Sequence, residues 1–121
     1  MDADDSVPPS VAAAGPGFRQ AFLTLRRQYA DNLPRRLQEA SDALDACLRQ
    51  PQDAAALDIL RRAVHTMAGT APTLGFVQQG EQARRIEHLL QPLGANPART
   101  AADFADAQAA VAELVALGAT R

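Results

Sequence analysis

The sequence predicts an all-α fold, an antiparallel four-helix bundle with a kinked or broken N-terminal helix. Composition and periodicity point there together. Aromatic residues make up only 4% of the 121 residues, Trp is absent, and alanine and leucine dominate over the β-branched types that strands prefer. Apolar residues then recur at alternating spacings of three and four in four separate stretches, the period of a helix with one buried face. A chain of this length with 47% hydrophobic residues fits one domain with one core.

Residues 1–16 mix Asp, Pro, Gly and Ala without periodicity and read as a flexible N-terminal arm, leaving 17–119 for the bundle. The first helix carries Phe18, Phe22, Leu25, Tyr29, Leu33, Leu37, Ala40, Leu44 and Cys47 as its stripe. Pro34 interrupts it. Proline cannot donate to the i−4 carbonyl and restricts the residue before it, so a kink or short break is expected near residues 30–34, and the phase preserved across it favours a kink. After the turn at Pro51, Asp53 is placed to cap a second helix with the stripe Leu57, Leu60, Val64, Met67, Ala71, Leu74, which Gly75 can end. A third helix from about Phe76 to Gln91 turns Phe76, Gly80, Ala83, Ile86 and Leu90 inward, and residues 92–97 punctuate the chain. The fourth buries Phe104, Ala107, Val111 and Leu114, with Gly118 as its stop. Short loops between amphipathic helices make an antiparallel bundle.

Charge and cysteine content narrow the function. A formal net charge of −2 gives no basic field to attract nucleic acid or anionic lipid, so neither partner is expected. All 12 basic residues are arginines, scattered along the chain. The lone Cys47 has no partner for an intramolecular disulfide and fits its stripe as a small core residue. With no signal peptide or spanning apolar run, a cytoplasmic location is expected.

The chemistry-bearing segment lies on the second helix. His65 falls roughly 130° from the centre of the apolar stripe at 100° per residue and should face solvent. Ala68 and Gly69 beside it leave little side-chain bulk, although glycine inside a helix costs about 1 kcal/mol relative to alanine. Either Gly69 permits close helix packing or it lets another protein approach the imidazole. On the third helix, Glu87 sits at the inner edge of an apolar stripe and needs a partner. It either pairs with a rim arginine such as Arg84 or, if the second and third helices are antiparallel, returns alongside His65 to accept from Nδ1–H, leaving Nε2 as a nucleophile. His88 reads as a surface residue.

The run His65-Thr66-Met67-Ala68-Gly69-Thr70-Ala71-Pro72-Thr73-Leu74-Gly75-Phe76, followed by Ala83 and Ile86-Glu87, resembles the signature of the histidine-containing phosphotransfer (HPt) family: histidine, an aliphatic residue at +2, glycine at +4 and +10, and later a small residue and an aliphatic-acidic pair. The match is best over residues 60–90 and extends more weakly to about 18–118. The resemblance implies a helical bundle with no ATP site of its own, accepting a phosphoryl group on His65 from a receiver-domain aspartate and passing it to another receiver. It implies receiver domains and a hybrid histidine kinase as partners, a monomer, and no cofactor, any Mg belonging to the receiver. It implies an orienting role for Glu87 and a docking surface around Gly69 and Pro72, with Gly75 as a structural glycine. The sequence departs from the family at Ala68, where many members carry a lysine that helps to hold the phosphoryl group. Arg61 and Arg62, one turn before His65, are the expected substitutes, Arg62 ahead of Arg61, and Arg85 is a weaker one. The alternative function is a non-phosphorylated interaction or dimerisation domain of the same fold. A metal or catalytic bundle is disfavoured, because two histidines and one distant cysteine offer neither a Glu-x-x-His pair nor a Cys-x-x-Cys spacing.

Overall fold

The computed structural model describes residues 7–119. They form α1 (Pro9–Ala12), α2 (Pro16–Arg49), α3 (Ala54–Thr73), α4 (Val77–Gly94), a 3-10 turn (Ala101–Phe104) and α5 (Ala105–Ala119). No strand occurs among the described residues. α2 packs on α3 and α5, and α4 packs on α3 and α5, which closes the four long helices into a bundle. Leu33, Leu60, Val64, Ile86, Leu90 and Phe104 fill its centre and are fully buried, each worth roughly 1.5–3 kcal/mol of transfer free energy.

The connections follow from local chemistry. Asp53 caps α3, its carboxylate accepting from the Ala55 N–H at 2.9 Å and the Ala56 N–H at 3.3 Å. The turn from α3 to α4 is a Schellman motif: the Phe76 N–H donates to the Ala71 carbonyl at 2.8 Å and the Gly75 N–H to the Pro72 carbonyl at 3.1 Å. Gly75 takes φ +92° there, a conformation that a side chain disfavours. Before α5, Thr100 and Asp103 form a reciprocal capping box.

Several expectations are corrected. Of the kink or short break expected at Pro34, the break does not occur: α2 runs on through it, as the preserved phase favours, since Leu33 and Leu37 on either side are both buried and packing holds the helix in place of the bond that proline cannot make. Phe18 and Leu25, assigned to the buried stripe, are 59% and 55% exposed. The 34 residues of α2 outrun the 20 of α3 by about 20 Å at 1.5 Å per residue, so its N-terminal end has no long helix facing it. Part of the segment expected to be an arm is structured: α1 lies on α2 and buries Val11, and Val7 is buried too, while residues 1–6 lie outside the described residues. α4 starts one residue later than expected and continues through Pro92 to Gly94, its last turn held by buried Leu93. Gly118 lies within α5, where a Cβ would collide with the Leu37 side chain, and so serves packing and is not a stop.

Candidate functional site

His65 stands on the outer face of α3, with its side chain 77% exposed. Buried Val64 and Met67 flank the position and fix the helix rotation, so the imidazole points away from the core. Its Nδ1 lies 2.5 Å from Oε2 of Glu87 on α4. A carboxylate only accepts, so Nδ1–H is the donor and Nε2 keeps its lone pair. Nε2 has no hydrogen-bond partner among the described residues. Glu87 is the less exposed of the two, its side chain 28% accessible, which fixes the carboxylate at the rim while the ring remains open. The pairing of Glu87 with Arg84, left open by the sequence, does not occur.

The two helices meet in register because of a second contact. A Cβ on Gly80 would collide with the ring of Pro72, so this glycine allows the last turn of α3 to lie directly on the first turn of α4. Pro72 is therefore half-buried against α4. Gly69 behaves differently: nothing lies within 4 Å of where its Cβ would be, so it makes no packing demand and leaves a bare stretch one turn from His65. On the α2 side of that bare stretch is a groove of about 440 Å³ lined by Leu25, Gln28, Asn32, Gly69 and Thr73. The buried Tyr29 and the Arg36 guanidinium, 5.6 Å from the Tyr29 ring centroid, also line it. The sequence reading missed this groove, because the α2 residues that line it come alongside Gly69 only in the folded bundle.

Ala68, placed beside His65 as a residue of little bulk, is buried at 3% exposure on the side of α3 that meets α4. The expected substitute cations are also elsewhere. Arg62 turns back to Asp58, Nε to Oδ2 at 2.9 Å, and Arg61 lays a guanidinium nitrogen 3.0 Å from where a Cβ on Gly94 would sit. Asp58 and Gly94 are each seven residues from His65 or its partner Glu87, about 10 Å along the axis. Arg85 pairs with Glu113 on α5 at 3.3 Å. His88 is exposed. No group of His, Cys, Asp and Glu capable of holding a metal ion occurs among the described residues, and no helix is long and apolar enough to cross a membrane.

The Hpt domain family model matches residues 24–117, the four long helices almost entire. No curated protein and no solved structure matches the chain. With most of its length under the family model and a histidine signature on an open helix face, the chain belongs to the Hpt domain family, modules of histidine phosphotransfer in two-component phosphorelays that work with receiver domains and histidine kinases and have no kinase domain of their own.

Proposed function

We propose that His65 is the phosphoacceptor, taking a phosphoryl group from the aspartyl phosphate of one receiver domain and giving it to the aspartate of another. The observation that carries this reading is the hydrogen bond from Nδ1–H to Glu87 beside an open Nε2. In the transfer step the Nε2 lone pair attacks phosphorus, the P–N bond forms, and the P–O bond to the aspartate breaks, its electron pair leaving with the receiver carboxylate. Positive charge then spreads over the ring, and Glu87 offsets it through the Nδ1–H bond. Reversal on a second receiver follows the same path. Gly69, the Thr73 side of α3 and the groove beside Leu25 give a receiver a surface to press against.

The reading is tested by incubating the protein with phosphorylated receiver domains and following acid-labile label. Wild type should become labelled and the His65→Gln variant should not. Undiminished label in that variant, or no label on wild type with any receiver of the same organism, would leave the non-phosphorylated interaction domain as the better account.

A further inference from the structure

The phosphoryl group that His65 is proposed to carry brings negative charge to a rim where residue 68, the position at which the resemblance places a lysine, is alanine; of the arginines on α3, Arg62 pairs with Asp58 and Arg61 lies over Gly94 at the far end of α4. We infer that Arg84 on α4 supplies the cation, reaching the phosphoryl oxygens from the helix opposite the one that carries the histidine. The inference rests on the reading of His65 as phosphoacceptor and deepens it.

The antiparallel register carries the placement. His65 meets Glu87 and Pro72 meets Gly80, a step of seven along α3 against the same step back along α4. Residue 84 therefore stands across from residue 68, the position where the family lysine would be. Gly80, Arg84 and Glu87 follow one another at spacings of four and three, so Arg84 shares the α4 face whose other members touch α3 at Pro72 and His65. Its sequence neighbour Arg85, about 100° further round the helix, points to α5 through Glu113, which leaves Arg84 on the α3 side of the rim. Arg84 is exposed and makes no ion pair or side-chain hydrogen bond among the described residues, unlike Arg62 and Arg85. Glu81 and Glu87 lie three residues to either side of Arg84 on α4; Glu87 is bound to His65, and no pairing of Arg84 with Glu81 occurs among the described residues. A guanidinium so placed has free donors for two phosphoryl oxygens at once. The buried Ala68 fits this arrangement: a long side chain there would have to bend out between α3 and α4, whereas residue 84 starts at the rim.

The test compares wild type, Arg84→Ala, Arg84→Lys and, as a control for loss of one exposed charge, Arg35→Ala, which removes only the pairing with Glu39. Each is phosphorylated by a receiver domain and, separately, by the small donor phosphoramidate, and the lifetime of the phosphohistidine is followed after the donor is removed. Losing one charge-assisted hydrogen bond should slow Arg84→Ala about tenfold with both donors and change its phosphohistidine lifetime. Arg84→Lys should recover part of the rate, and Arg35→Ala should match wild type with an unchanged melting temperature in every variant. Slowing confined to the receiver donor would make Arg84 a docking contact and overturn the inference, as would wild-type rates in Arg84→Ala. Either result leaves the reading of His65 standing, because His65→Gln then still abolishes the label. Wild type that takes label from neither donor removes both.

Discussion

At the scale of single residues, the molecule separates Gly69 from Gly80, where a Cβ would strike Pro72. A Cβ at Gly69 would enter open space, so Gly69→Ala should raise stability by about 1 kcal/mol through helix propensity. Gly69→Arg should likewise leave thermal unfolding intact while abolishing label transfer from a receiver, because the bulk would stand one turn from His65. A melting temperature that falls together with transfer would show that the residue serves packing. Cys47 gives a second prediction at this scale. Burial pushes its thiol up from the ordinary value, the nearby Arg99 pulls it down and Asp53 adds to the rise, so the thiol stays protonated at neutral pH. It should resist alkylation in the native protein and react only after unfolding, which mass spectrometry with iodoacetamide before and after denaturant would show. His65, Glu87 and Cys47 were legible in the sequence because a signature or an apolar stripe fixes their direction. The arginines were not. Helical spacing alone places Arg61 and Arg62 near His65 and equally allows Arg62 to reach Asp58, and the position of Arg61 over Gly94 is visible only in the fold.

At the scale of elements, the α3–α4 pair governs the site, since it sets the height at which Glu87 meets His65. Two glycines hold that pair together by different means. Gly75 provides the positive φ of the turn, and Gly75→Ala should cost about 1–2 kcal/mol. Gly80 provides the close approach to Pro72, and Gly80→Ala should cost about 1–3 kcal/mol by overpacking. Denaturant melts measure both costs. Gly80→Ala should also slow phosphotransfer, because forcing α4 away from α3 pulls the carboxylate off Nδ1; a destabilised Gly80→Ala that transfers at the wild-type rate would contradict that coupling. The helices themselves were readable from spacing, and two of the errors have one cause. Pro92 and Gly118 are breakers by propensity, yet each lies within a helix where a buried neighbour, Leu93 or Leu37, outweighs the local preference. The overhang of α2 was illegible for a different reason: a periodic stripe shows where a helix could be buried, and only the length of its partners decides how much of it is.

At the scale of the whole molecule, the bundle is a frame that sets one of its two exposed imidazoles, that of His65, against a carboxylate. Four helices bury a single core and leave His65 at mid-height on an open face, with Glu87 behind Nδ1 and a groove beside Gly69. The central claim is that this frame directs phosphorylation to one nitrogen of one ring. Nitrogen-15 NMR of the histidine side chains, recorded before and after phosphorylation by a receiver, tests it most directly. The account predicts phosphorus coupling at Nε2 of His65, a retained proton on its Nδ1, and an unchanged His88. Phosphorus on Nδ1 of His65, or on either nitrogen of His88, would contradict it.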